Sequence, residues 1–179
     1  MQFVPWRYIS EWKCISCGKC CRSYSVVLNL PEWLKIVQLY GAGKTVSGLD
    51  KIFITRRSDG SCAFLYRVLD MHLCGLQHMK PKACKLWPFK VLDKPKYGHA
   101  GDAFYNYGGN GFYVYADSNC LGLTYGIPKQ SYVCSVVREF VEIALERRVA
   151  QIATTRKVTF AQPYTLLRSG DIDLRADYF

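Results

Sequence analysis

Cys14-Ile15-Ser16-Cys17-Gly18-Lys19-Cys20-Cys21 places four thiols within eight residues. A C-x2-C spacing lets two sulfurs converge on one metal across a tight turn. Gly18 suits that turn because it takes positive φ without a Cβ penalty and lets amides approach sulfur. A second C-x2-C overlaps the first through Cys17 and Cys20. Three sulfurs of such a run can wrap one centre while the fourth ligand comes from elsewhere, a layout that iron–sulfur proteins use; structural zinc sites more often use two separate C-x2-C pairs. The remote cysteines Cys62, Cys74, Cys84 and Cys120 do not form such pairs. The spacing therefore leans toward an iron–sulfur cluster, with 4Fe–4S as the candidate type and zinc as the alternative, since thiolates suit both. Adjacent side chains usually diverge, so Cys20 and Cys21 are each candidate ligands, for one centre or for different ones.

Other residues are weighed against this set. Lys13, Lys19, Arg22, Lys82 and Lys85 flank cysteines and could offset the negative charge of a thiolate centre. Cys134 falls on an apolar helical stripe and reads as a buried small hydrophobe. His72 and His78 bracket Cys74, and His99 stands apart; all three read as exposed or locally bonded rather than as ligands. Gly41-Ala42-Gly43-Lys44-Thr45 lacks the spacing of a phosphate-binding loop and reads as the end of a helix.

The elements that must position these thiols are short. Asn29 and Pro31 announce a helix, with Trp33, Leu34, Val37 and Tyr40 as its apolar stripe and Gly41 as its end. Ser25–Leu28 and Lys51–Arg57 read as strands. Asp59-Gly60 is a hairpin turn signal, with Cys62–Leu65 as the returning strand. Phe104–Tyr107 and Gly111–Tyr115 form a second hairpin around Gly108-Gly109-Asn110. The longest helix is expected over Lys129–Ile152, with Val133, Val136, Val137, Phe140, Ala144 and Val149 inward and Glu139 and Glu142 on other faces. Trp6, Tyr8 and Trp12 tie the N-terminal arm down. The expected fold is a small α+β domain over residues 1–155, with short β-hairpins and two main helices around a cysteine-ligated metal site. Residues 156–179 read as a weakly structured tail.

The chain has 179 residues, half of them hydrophobic and 21% charged, which excludes a disordered class. Apolar runs are too short for a membrane span, which needs about 18 residues. The first residues lack a basic-then-apolar signal, so the cytoplasm is the expected compartment. In that setting nine clustered cysteines point to metal or redox chemistry rather than disulfides. The net charge is +10, and residues 80–96 hold six lysines and one acid. A basic balance favours anionic partners. Lys80, Lys82, Lys85 and Lys90 are therefore candidate nucleic-acid contacts, although no known nucleic-acid-binding pattern accompanies them.

The cysteine pattern resembles the YkgJ-type cysteine-cluster family, described as chelating zinc or iron. The family pattern opens with C-x2-C-G-x-C-C and continues through C-P-F-L, then a cysteine followed by R-P-x2-C and an aromatic–Pro pair, then C-x-G. The corresponding residues are Cys14 to Cys21, Cys62 to Leu65, Cys74 with Lys80 to Cys84 and Trp87-Pro88, and Cys120-Leu121-Gly122. Ala63, Lys80 and Trp87 depart from the usual Pro, Arg and Phe or Tyr. The resemblance implies metal binding through Cys14, Cys17, Cys20, Cys21, Cys62, Cys74, Cys84 and Cys120, and it raises Cys120 to a ligand. Two functions follow. One is a cytoplasmic iron–sulfur or zinc protein with a redox or electron-transfer role and a redox or other protein partner. The other is a zinc-stabilised module for RNA or a ribonucleoprotein.

Overall fold

In the computed structural model, which describes residues 2–152, strand pairing begins at Phe3. The elements are β1 (Phe3–Pro5), β2 (Ile9–Trp12), α1 (Lys19–Ser23), β3 (Val27–Leu28), α2 (Leu30–Tyr40), β4 (Thr45–Ser47), β5 (Ile52–Ile54), β6 (Leu65–Val68), β7 (Met71–Cys74), α3 (Lys82–Leu86), β8 (Phe89–Leu92), α4 (Ala100–Ala103), β9 (Phe104–Tyr107), β10 (Asn110–Asp117), β11 (Leu123–Tyr125) and α5 (Arg138–Ala144). The class is mixed α+β, built from short antiparallel strands and few helices. Residues 156–179, read from sequence as a tail, lie outside the described residues.

The largest sheet is organised by β10. It pairs antiparallel with β1 (Phe3↔Asp117), β8 (Tyr113↔Leu92) and β9 (Asn110↔Tyr107). Gly108 and Gly109 both take positive φ, as a two-residue hairpin turn of this kind requires. Val114, Tyr115, Ala116 and Asp117 are all buried. Successive strand residues point to opposite faces, so this end of β10 is covered on both. The N-terminal arm packs down as β1 and β2, and β2 pairs with β11 through Leu123↔Trp12. Trp6, Ile9 and Trp12 from the arm, Phe89 and Val114 from the sheet, and Phe140 from α5 form one core. The Trp12 ring meets Phe89 and Phe140 edge-on at 5.7 and 5.3 Å. Such pairs contribute about 0.5–1.5 kcal/mol each beyond area burial.

A second core holds Val26, Leu28, Ile36, Ile54, Phe64 and Leu76. Its helix α2 starts as the sequence predicts. The Asn29 carboxamide accepts from Glu32 N, and the Glu32 carboxylate accepts from Asn29 N, a reciprocal cap. Gly41 N donates to Val37 O and ends the helix, and residues 42–44 form the expected short loop turn. The inward face centres on Ile36, with Trp33 and Tyr40 packed beside it. Leu34, assigned to that face from sequence, is 53% exposed. With about 3.6 residues per turn, a residue two positions from Ile36 falls on the far side of the helix.

Two sequence expectations need correction. Cys62–Leu65 does not return as a strand along β5. The Asp59-Gly60 turn forms, but only an Arg56↔Cys62 bridge follows it, and Leu65 instead begins the β6–β7 hairpin. The last helix stops at Ala144 rather than Ile152, after a π-helical stretch over Tyr132–Val137. Arg147 N and Arg148 N both donate to Glu142 O, and Glu146 takes a φ of 60°, which folds the chain back. Glu139 and Glu142, expected on outer faces, are buried and bind the returning Arg148 at 3.3 and 2.6 Å. Val149, expected inward, is exposed.

Candidate metal centre

Chain segments from both cores surround one cavity of about 210 Å3, lined by all eight cysteines that the sequence singles out. The cysteine loop is pinned at both ends. Lys13 N donates to Gly122 O, and His72 N of β7 donates to Ser16 O. Gly18, at φ +69°, begins α1, and a Cβ there would lie 2.8 Å from the His72 side chain. Only glycine meets both constraints.

Each remote thiol arrives by its own device. Cys62 N donates to Cys21 O at 2.8 Å, which fixes Cys62 against α1. Cys74 ends β7 opposite Leu65, and Gly75 N donates to Phe64 O. Cys84 rides on α3, whose first amide, Lys82 N, donates to the Glu32 carboxylate at 2.6 Å. Glu32 thus caps α2 and anchors α3. Cys120 lies in the turn after β10, where Cys120 N donates to Asp117 O. A Cβ on Gly122 would sit 2.2 Å from Lys13 O, so that turn closes on Cys14 only with glycine.

The arrangement of sulfurs differs from the expectation that adjacent thiols diverge. Cys20 and Cys21 approach to 3.9 Å between sulfurs. The Cys21 thiol hydrogen-bonds Cys20 and, with help from Lys80, holds the Cys20 pKa down to about 6; Cys21 is pushed up by the same bond and by burial. Burial also raises Cys62, Cys74, Cys84 and Cys120. A cation taken up here must therefore displace protons. Among the described residues no three His, Cys, Asp or Glu side chains converge tightly enough to hold a single ion as they stand. The thiols instead line the walls of a space.

Several residues at the site carry no sequence signal. The Trp12 indole N–H donates to Cys120 Sγ at 3.3 Å. The Tyr24 hydroxyl donates to the buried Asp117 carboxylate, and its ring packs at a tilt against Trp87, centroids 4.0 Å apart. The Arg56 guanidinium donates to Arg22 O, Tyr24 O and Gly60 O, clamping the end of α1 onto the turn before Cys62. Arg22 contacts His72 Nε2 at 3.2 Å. Arginine only donates, so Nε2 accepts and Nδ1 carries the proton. That Nδ1 is buried without a hydrogen-bond partner. The eight soft sulfur donors that line the cavity fit a thiophilic metal centre.

The cations are distributed differently from the sequence expectation. Lys80, which lines the cavity, helps hold Cys20 down and opposes the burial that raises Cys74 and Cys84. Lys82 pairs with Glu146 at 2.7 Å, and Lys85 donates to Val149 O at 2.9 Å. Lys80 also reaches Gln151, and Lys90 donates to the Tyr97 hydroxyl and lies over the Phe3 ring. His78 and His99 are exposed, with His99 Nδ1 against the Tyr8 hydroxyl at 3.1 Å. Cys134, expected buried, is exposed on the outer side of its helix and does not line the cavity.

Fold and site together define a cysteine-rich α+β protein, eight of whose thiols line one cavity. Residues 13–120 match the model of the CxxCxxCC family, described as a "putative zinc- or iron-chelating domain", and the chain belongs to that family. No curated protein and no solved structure matches it. Among the described residues no helix is long and apolar enough to cross a membrane.

Proposed function

We propose that the cavity holds an iron–sulfur centre and that the protein serves in electron transfer or redox-linked chemistry, with Cys14, Cys17, Cys20, Cys21, Cys62, Cys74, Cys84 and Cys120 as the pool of ligands. The observation that carries this reading is the room between the thiols. A lone zinc draws its four ligands to one point, with Zn–S near 2.3 Å. Here the sulfurs border about 210 Å3, many times the roughly 10–15 Å3 that admits one water. A polynuclear cluster uses such space. The protein's part is to supply thiolates, exclude water with Trp12, Tyr24 and Trp87, and tune the centre through the Trp12 N–H and the Lys80 charge. When bound, the cluster supplies one-electron chemistry.

The test is replacement of Cys74 and Cys84 by alanine in the full chain, purified without oxygen. Loss of bound iron and sulfide and a lowered melting temperature support the reading; unchanged metal and melting temperature overturn it. The RNA-binding reading rests on the net charge of +10 and the lysines of residues 80–96. Lys80, Lys82, Lys85 and Lys90 each contact a partner within the chain.

A further inference from the structure

Asp117 closes β10 and is fully buried. It stands behind the cavity wall and bonds to the segments that carry Tyr24, Trp87 and Cys120, all of which line the cavity. One carboxylate oxygen accepts from the Tyr24 hydroxyl. The other accepts from Asn119 N at 2.8 Å and from the Asn119 carboxamide at 2.9 Å. The backbone joins in: Cys120 N donates to Asp117 O, and Asp117 N donates to Pro88 O, both at 3.0 Å. Tyr24 ends α1, where its N–H donates to Cys20 O at 3.3 Å, and its ring packs against Trp87. Trp87 follows α3, which carries Cys84. One residue therefore ties together the segments that bring in Cys20, Cys21, Cys84 and Cys120. The groups that bond the carboxylate are all neutral. Among the described residues no lysine, arginine or histidine pairs with it. It is an acceptor facing three donors, with no cation beside it to cancel its charge.

The geometry points to Asp117 as a positioning residue for the metal centre: it ties the Cys120 turn to α1 and to the segment after α3, and it sets a negative charge behind Cys120. The inference rests on the metal-binding reading above, and its redox arm on the iron–sulfur assignment. Carboxylates bonded behind a metal's ligands fix ligand orientation and tune the metal. An uncancelled negative charge stabilises the oxidised, more positive form of a cluster, so it lowers the midpoint potential. Asp117→Asn separates the two roles. The carboxamide oxygen can face Asn119, and its NH2 can donate to the Tyr24 hydroxyl, which also accepts. The tie survives and the charge is removed. Tyr24→Phe does the reverse. It leaves the carboxylate and the ring against Trp87 in place and removes the tie to α1.

Both variants are made in the full chain and purified without oxygen, with far-UV circular dichroism to check the fold. Asp117→Asn is expected to keep the iron and sulfide content of the unmodified chain and to raise the midpoint potential in a redox titration. Lost iron, or a potential that stays or falls, overturns the inference. In the metal-free chain, Tyr24→Phe is expected to speed alkylation of Cys120 about tenfold, the opening that loss of a bond to a charged group permits. Cys62, held by its own bond to Cys21 O, is expected to react at the unmodified rate. An unchanged Cys120 rate, or an equal rise at both thiols, overturns the tie. Should Tyr24→Phe fail to fold, Asn119→Ala, which removes only the carboxamide bond to the same carboxylate, takes its place with the same expectation. If the unmodified chain carries zinc and no iron, the iron–sulfur assignment falls, and Cys120 alkylation alone decides the tie. A chain that binds neither metal overturns the metal reading itself.

Discussion

Gly18 and Gly60 both adopt positive φ, yet they do different things. At Gly60 nothing lies within 4 Å of where an added methyl group would sit, whereas at Gly18 the His72 side chain lies at 2.8 Å. Gly60→Ala is expected to cost about 1–2 kcal/mol, the left-handed backbone penalty alone. Gly18→Ala adds a clash to that penalty and is expected to cost more than about 2 kcal/mol, and to lower metal content because the cysteine loop turns there. Denaturant titration of both variants, with metal analysis, checks this. Trp12→Phe removes the N–H held against Cys120 and also shortens a buried ring in the core. It is expected to shift the midpoint potential of the bound centre, measured by redox titration, with a stability loss of about 1–3 kcal/mol from the lost bond and the cavity. The cysteines are legible at this scale because their spacing is itself the signal. Trp12, Tyr24, Arg56 and His72 are not, because each acts through a partner tens of residues away in sequence.

The helices that position the site rest on a few carboxylates. Glu32→Ala removes the carboxylate half of the α2 cap and the anchor of α3. It is expected to lower stability by about 1–2 kcal/mol and to loosen Cys84, seen as faster alkylation of that thiol in the metal-free chain. At the end of α5, burial pushes the Glu142 carboxyl up, but hydrogen bonds from Arg138, Tyr107 and Arg148 outweigh it and hold the carboxyl below the ordinary value. Its contribution to stability is therefore complete above about pH 4.3, the unfolded value, and is lost as pH falls through the lower folded value. Arg148→Ala is expected to destabilise by about 1–3 kcal/mol at about pH 7, and the difference from the unmodified chain is expected to narrow in denaturation curves below about pH 4. Local signals make α2 and the β9–β10 hairpin readable from sequence: a capping pair, a proline, two turn glycines. The strands β1, β2 and β11 are three or four residues long, too short for alternation to show. The early end of α5 depends on Arg148 folding back to Glu139 and Glu142, an interaction that helical periodicity cannot register.

At the scale of the whole molecule, two cores meet at a cavity, and the cysteines facing it come from different local structures: a loop and its following turn of helix, a bridge, a hairpin strand, a short helix and a post-strand turn. The α+β class and the eight candidate ligands can be read from the sequence. Their meeting at one cavity cannot, because it depends on how segments far apart in sequence pack together. Most of the cavity thiols are raised by burial, so the metal-free chain carries protonated sulfur in apolar surroundings. The same geometry keeps the basic 80–96 stretch close to the chain rather than projecting from it, through Glu146, Val149 and Gln151.

Whether these thiols hold an iron–sulfur centre is tested most directly by metal and acid-labile sulfide analysis, with a visible spectrum, on the full chain purified without oxygen. Iron and sulfide are expected in comparable amounts, with a broad absorption near ~400 nm from thiolate-bound iron. Colourless protein carrying stoichiometric zinc and no sulfide would contradict the iron–sulfur assignment.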